Sequence, residues 1–190
     1  MGGNETMLKI KIYLSNLAKY TEGNENGKWI ALPMESNKLN NIYNAIVGKN
    51  QESIILDYDS PFKISEWENI FELNNLLETF NENGIDDITA RLIFTVSDTK
   101  EEAIERLETG SYIVIDVDAV SSTWMSGIDY AELYGMVLNE EGYNNLFKEP
   151  IPEDMIDYID FAQVWTALSI NDGWEEVTVN NNTYLVTTRI

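Results

Sequence analysis

Residues 9–15, which read KIKIYLS, alternate between apolar and more polar side chains. Successive side chains of a β-strand point to opposite faces of its sheet, so Ile10, Ile12 and Leu14 fall together on one face. The stretch therefore predicts a half-buried strand, and the N-terminal part of the chain is expected to fold around it.

Further patterns around this strand predict a small α+β unit. Apolar runs at residues 29–33 and 53–58 predict two more strands. Between them, apolar residues at helical spacing follow Ser36, a residue type that caps helices, and the pattern stops at Gly48. Residues 7–63 are therefore predicted to form an N-terminal α+β domain.

The middle of the chain has the pattern of short helices. Ser65 followed three residues later by Glu68 is the sequence of a capping box, which predicts that a helix begins here. The residues expected on the apolar side of this helix are Trp67, Ile70, Phe71, Asn74 and Leu77.

Two more helices are predicted before the pattern changes. One is centred on residues 88–93, and another follows a cap at Ser97 or Thr99 and ends at Gly110. Residues 64–110 are therefore predicted to form a small central helical domain.

The last third returns to a mixed pattern. It predicts a strand at 112–117, a helix at 126–141, a helix at 152–168 and a hairpin at 177–188 that turns on three consecutive asparagines. These residues, 111–190, are predicted to form a C-terminal α+β domain. The fold class is α+β, and we expect an elongated chain of three small units.

Composition excludes several classes of function. The chain has no cysteine and no histidine, which removes disulfides, thiolate chemistry, the usual zinc ligands and nucleophiles activated by histidine. Five tryptophans and ten tyrosines argue for a folded protein rather than a disordered acidic tail. No apolar run approaches the length of a membrane span and no signal peptide is evident, so a cytoplasmic protein without membrane contact is expected.

The negative charge is concentrated in one part of the chain. The net charge is −21, yet residues 1–63 contain seven lysines and seven acidic residues. Residues 64–190 contain 26 acidic residues and five basic ones, and no base occurs between Arg106 and Lys148. A negative surface of this size disfavours direct nucleic-acid binding and indicates a basic groove on a partner.

Motifs that bind metals or phosphates are missing from the sequence. Asp57, Asp59 and Glu68 have the spacing of calcium-loop positions 1, 3 and 12, but Pro61 and Phe62 occupy the positions that need an oxygen ligand and glycine. No glycine-rich phosphate loop is present. No metal and no cofactor are therefore expected, and no catalytic residue is assigned.

The acidic surface can instead imitate a nucleic acid. Duplex DNA carries one charge per about 1.7 Å, so 21 charges correspond to about 36 Å, or roughly ten base pairs. Several acids lie at like-charge helical spacing with few bases nearby, which costs stability. The carboxylates predicted to replace phosphates are Glu66, Glu68, Glu72, Glu101, Glu105, Glu108, Glu132, Glu140, Glu141, Glu153, Asp154, Asp157 and Asp160.

Three blocks of sequence, in order along the chain, carry a resemblance to a known family. They are residues 12–20 (IYLSNLAKY) continued by Glu22, Gly23, Gly27, Trp29 and Pro33, residues 57–62 (DYDSPF) followed by 72–74 (ELN), and residues 152–165 centred on 157–161 (DYIDF).

Together these blocks resemble the ArdA antirestriction proteins. The resemblance implies an elongated, three-part mimic of double-stranded DNA that is encoded on phages or mobile elements. It further implies a homodimer that inhibits type I restriction-modification enzymes by occupying the DNA groove of their methyltransferase core. The resemblance does not assign individual carboxylates.

Three alternatives remain open. The chain could be a DNA mimic directed at another host protein, such as a CRISPR effector or a nucleoid protein. It could be a hydrolase that uses a pair of carboxylates as acid and base. It could also be a simple acidic interaction domain, which would bind its partner equally well in the presence of excess DNA.

Overall fold

A computed structural model describes residues 7–24, 26–116 and 173–188, together with the single residues 158 and 170. The chain divides into two compact units, one with the residues up to 94 and residues 99–110, the other with residues 95–98 and those after 110. Both contain an antiparallel sheet and the first adds helices, which confirms the α+β class. The division into three domains stays a prediction. The helices predicted at 126–141 and 152–168 lie outside the described residues.

The first unit is built on a three-stranded antiparallel sheet. Its strands are β1 (Ile10–Asn16), β2 (Lys28–Leu32) and β3 (Ser53–Asp59), in the order β2-β1-β3. Ile10, Ile12 and Leu14 are buried, as the alternation predicts. The register between β1 and β3 shifts after Tyr13, and from Leu14 onward three successive residues are buried.

Two helices accompany this sheet. Helix α1 (Leu17–Thr21) begins after Asn16, whose side-chain Oδ1 accepts a hydrogen bond from the Lys19 amide over 2.9 Å. Helix α2 (Ser36–Ile46) begins one residue earlier than predicted, because the carboxylate of Glu35 caps it and Ser36, the expected cap, is its first helical residue.

The first helix after β3 begins later than the sequence indicates. Residues 65–68 form a turn that contains the capping-box bonds, with the Ser65 amide 3.3 Å from Glu68 Oε2. Helix α3 (Ile70–Glu82) then begins with Asn69 as its cap. The prediction that Ser65 opens the helix is therefore wrong, and so is the burial of Trp67, which precedes the helix and is 60 % exposed.

The other helices of this region agree with the predictions. Helix α4 (Asp87–Val96) covers the second pattern, and α5 (Lys100–Thr109) the third. Thr99 caps α5, since its hydroxyl accepts a hydrogen bond from the Glu102 amide over 3.2 Å. Gly110 ends it with φ = 69°, a left-handed conformation that glycine adopts without strain.

Two asparagines join α3 to the sheet. Asn74 Oδ1 accepts a hydrogen bond from the Met34 amide over 2.8 Å, and its Nδ2 donates to the Met34 carbonyl over 3.0 Å. Asn81 makes the same pair of bonds to the backbone of Leu8, over 2.6 and 3.1 Å. Each side-chain amide thus pairs with both the backbone N–H and the backbone C=O of one residue, Leu8 before β1 or Met34 after β2. A neighbouring strand would satisfy these backbone groups in the same way.

The second unit contains a second three-stranded antiparallel sheet. Its strands are β4 (Ile113–Asp116), β5 (Trp174–Val179) and β6 (Asn182–Thr187), in the order β4-β6-β5. Asn180 and Asn181 connect β5 to β6 with φ values of 52° and 68°. Two successive residues at positive φ are typical of a type I′ turn, which confirms the predicted hairpin.

Candidate functional site

The helical region, residues 64–110, carries most of the described acidic surface. It contains twelve acidic residues and three basic ones, which gives a net charge of −9. Each of the three bases forms an ion pair within the region. Arg91 lies 2.7 Å from Asp87, and Arg106 pairs with Glu102; both pairs join residues four apart on one helix. These two bases neutralise acids of their own helix.

The third base, Lys100, holds one of the predicted carboxylates in place. Its Nζ lies 2.5 Å from Glu68 Oε1, and the Ser65 amide donates to the other oxygen of that carboxylate. The ammonium group also lies 5.9 Å from the ring centre of Phe62, which stacks on Phe94 at 4.5 Å. Both oxygens of Glu68 are therefore engaged within the protein, and its role in mimicry stays a prediction.

A row of three predicted carboxylates runs along helix α5. Glu101, Glu105 and Glu108 are all exposed. At 3.6 residues per turn they fall within one narrow stripe, and a rise of about 1.5 Å per residue spreads them over about 10 Å. This α5 row, defined by these three residues, presents only negative charge to solvent.

Glu66 and Glu72 are exposed on the segments that precede and begin α3. Glu72 lies in the first turn of the helix, where the helix dipole favours an acid, and its Oε1 accepts a hydrogen bond from Asn69 Nδ2 over 3.1 Å. Glu68 and Glu72 have like-charge helical spacing in the sequence, but they do not share a helix because α3 begins at Ile70.

The remaining predicted site residues lie outside the described residues, and their roles stay predictions. They are Glu132, Glu140, Glu141, Glu153, Asp154, Asp157 and Asp160.

Three exposed acids of the helical region are absent from the predicted set. They are Asp98, Glu82 at the end of α3, and Asp86, which caps α4 by accepting a hydrogen bond from the Thr89 amide over 2.7 Å. The spacing of Glu78 and Glu82, four residues apart on α3, is the same signal that identified the other acids and would have found Glu82.

The α5 row alone is less dense in charge than DNA. It carries one carboxylate per about 5 Å of helix axis, against one phosphate per about 1.7 Å of duplex axis. A surface that matches a duplex therefore needs carboxylates from several segments. Among the residues that the structure describes, no three acidic side chains converge closely enough to hold a metal ion.

The fold and the site define a small α+β protein with a surface of carboxylates on a helical scaffold. The family model described as "Antirestriction protein (ArdA)" matches residues 12–183, most of the chain, and this protein belongs to that family. The family acts against restriction enzymes. A search of curated proteins finds no match to the sequence. In the part of the chain described here, no helix has the length and apolar character needed to cross a membrane.

Proposed function

We propose that this protein mimics double-stranded DNA and inhibits type I restriction-modification enzymes by occupying the DNA groove of their methyltransferase core. The observation that carries the proposal is the state of the bases in the helical region. All three are engaged in ion pairs with neighbouring acids, and a net charge of −9 remains on the region.

The electrostatics of DNA binding support this function. Proteins bind duplex DNA largely through lysine and arginine contacts to phosphates, which release counterions. Carboxylates fixed on helices offer the same sign of charge to those bases. They present no base edges, so the inhibitor competes through charge and shape and exploits the part of the affinity that is independent of sequence.

A full duplex surface requires more charge than the helical region supplies. Residues 111–190 contain fourteen acids and two bases, and under this proposal their carboxylates supply further charge for the partner's groove. Two copies of the chain in a homodimer would provide 42 net negative charges in place of 21. The protein would act without catalysis in the cytoplasm of a bacterial host, encoded by a phage or another mobile element.

The acidic surface lowers the stability of the fold, which argues that the surface has a function. Glu101 and Glu105, and Glu105 and Glu108, are like-charge neighbours on one helix, and each such pair costs about 0.2–0.5 kcal/mol. A surface that served solubility alone would intersperse lysines, as the neutral N-terminal region does.

The proposal is tested by competition with DNA for a purified type I methyltransferase complex. The dissociation constant is measured at several salt concentrations for the protein and for a variant with Glu101→Gln and Glu105→Gln. Glutamine matches glutamate in helix propensity and removes the charge. At about 0.2–1 kcal/mol per exposed charge, we expect binding to weaken roughly 2- to 30-fold, with a smaller dependence on salt.

The matched control is a variant with Glu22→Gln and Glu52→Gln, which removes two exposed charges from the electroneutral region. It should bind within about twofold of the parent protein. Binding that is insensitive to salt would show that the mechanism is wrong. Binding that persists in excess DNA would identify an acidic interaction domain, and a hydrolytic activity lost outright on one Glu→Gln change would identify an enzyme.

A further inference from the structure

Trp67 lies exposed in the turn between β3 and α3. Its side chain is 60 % exposed, and its neighbours in sequence are the acids Glu66 and Glu68. A single exposed apolar residue is ordinary on protein surfaces and needs no special explanation. The backbone around Trp67, however, is held by several bonds, and this feature does need an explanation.

The turn of residues 65–68, here named the Trp67 turn, is fixed on two sides. The Ile55 amide of β3 donates to the carbonyl of Glu66 over 2.9 Å, and the ion pair of Glu68 with Lys100 ties the turn to the start of α5.

Bonds inside the turn fix its own conformation. Ser65 accepts from the Glu68 amide at its carbonyl over 3.1 Å and from the Trp67 amide at its hydroxyl over 3.3 Å. An apolar side chain on a backbone with so little freedom is pre-organised, and little conformational entropy is lost when a partner covers it.

The charges next to the turn specify the partner. Glu66 is exposed beside Trp67, and Lys100, which the turn contacts, directly precedes the first carboxylate of the α5 row. Lys63 is an exposed base two residues before the turn. A partner surface that covers Trp67 and also meets the α5 row would combine an apolar or aromatic recess with a largely basic rim. That description fits a DNA-binding cleft in a protein.

We propose that Trp67 is the apolar anchor through which the acidic surface docks into the DNA-binding cleft of its target enzyme. The inference rests on the proposed function and extends it. Carboxylates alone would attract any basic cleft, because contacts to phosphate carry no sequence information. A tryptophan on a well-fixed backbone supplies the contact that selects one cleft among many, and tryptophan is among the residues most enriched at the energetic centres of interfaces.

Charge and anchor should act on different steps of binding. Exposed charges mainly raise the association rate and its dependence on salt, whereas a buried apolar contact mainly lowers the dissociation rate. A variant without the anchor should therefore keep the salt dependence of the parent protein and release the target faster.

The test uses the full chain and the same purified methyltransferase complex, in competition with labelled duplex DNA. The variants are Trp67→Ala and the conservative Trp67→Tyr. The control is Trp29→Ala, because Trp29 is also a half-exposed tryptophan, at 50 %, and lies on a strand of the electroneutral region. We expect Trp67→Ala to weaken binding about 30-fold or more through faster dissociation, Trp67→Tyr to remain within about 5-fold, and Trp29→Ala within about 2-fold.

A second measurement does not depend on the alanine variant. Acrylamide quenches exposed tryptophan fluorescence, and the difference between the protein and Trp67→Phe isolates the signal of Trp67. That signal should lose its accessibility when the target is bound. Continued accessibility in the complex would overturn the anchor.

The outcomes separate this inference from the function on which it rests. If Trp67→Ala and Trp29→Ala have equal small effects while Glu101→Gln with Glu105→Gln still weakens binding, the anchor is overturned and DNA mimicry stands. If neither salt nor the glutamine changes affect binding, the proposed function fails, and the anchor in a basic cleft fails with it. If Trp67→Ala alters only the molecular mass of the free protein in solution, Trp67 serves self-association and the anchor is overturned.

Discussion

The sheet region, residues 7–63, and the helical region, residues 64–110, belong largely to one compact unit but have different surfaces. In the first 63 residues, seven lysines offset seven acids, whereas every base of the helical region is engaged in an ion pair and a net charge of −9 remains. Both regions bury many apolar side chains. Folding of this unit therefore does not require an excess of acid, and the excess in the helical region calls for a functional explanation.

The comparison is informative because the two regions are joined by specific bonds. Asn74 and Asn81, seven residues apart on α3, each bond to the backbone of one residue of the sheet region. These side-chain amides thus contribute to fixing the acidic surface to the neutral scaffold.

The largest effect is expected when this junction is broken. Asn74 is 1 % exposed, and Asn74→Ala leaves the amide and the carbonyl of Met34 without their partner. At about 1–3 kcal/mol for each of the two unsatisfied groups, we expect the free energy of unfolding to fall by about 2–6 kcal/mol, measured by denaturant unfolding.

Asn75→Ala is the matched control, since Asn75 is the exposed neighbour on the same helix. Alanine has the better helix propensity, so this variant should be as stable as the parent or slightly more stable. Equal stability of the two variants would show that the asparagine bonds do not hold the regions together.

A smaller loss is expected from Lys100→Met, which tests whether bases of the helical region serve the fold. The change keeps the length of the side chain but leaves the partly buried carboxylate of Glu68, 24 % exposed, without its counter-ion. We expect a loss of about 1–2 kcal/mol in the free energy of unfolding, between the values for surface and buried pairs.

The control for this prediction comes from the other region. Lys38→Met removes an exposed lysine of α2 and should change stability by less than about 0.5 kcal/mol. Adding Glu68→Gln to Lys100→Met should restore part of the loss, because the unpaired charge is then gone. A double variant no more stable than Lys100→Met would contradict the structural role of the pair.

Local patterns predicted the elements of this fold well where the local signal was unambiguous. The alternation of residues 9–15 gave β1, and the asparagines at 180 and 181 gave the hairpin. The start of α3 was not predictable, because two capping sequences overlap: Ser65 with Glu68, and Asn69 with Glu72. The hydrogen bond from the Ile55 amide to the Glu66 carbonyl holds the first in a turn, and that tertiary contact leaves no trace in the local sequence.

The candidate site was predictable in part for a similar reason. Helical spacing identifies the α5 row, since residues four and three apart share a stripe on any helix. Helical spacing cannot reveal that Lys100 pairs with Glu68, 32 residues away. Only the structure therefore shows that the Glu68 carboxylate is bound within the fold, whereas the carboxylates of the α5 row are exposed. Helix α1, with only five residues, is too short for any periodicity to predict.

The smallest expected effect is a gain in stability, from Glu105→Lys. Glu105 repels Glu101 and Glu108 along the α5 row, and the new lysine would attract both. At about 0.2–0.5 kcal/mol for each pair, removing two repulsions and adding two attractions should raise the free energy of unfolding by about 1 kcal/mol. Glu105→Gln should give about half of this gain, and denaturant unfolding would measure both.

Binding should change in the opposite direction to stability. The same Glu105→Lys protein should bind the methyltransferase complex more weakly than Glu105→Gln, because it places a base where the cleft meets a phosphate. If reversing the charge of Glu105 both stabilises the fold and weakens binding, then this charge serves binding to the partner and not folding. If Glu105→Lys instead lowered stability, the α5 row would be a structural feature of the helix, and the contrast between the two regions would carry no functional meaning.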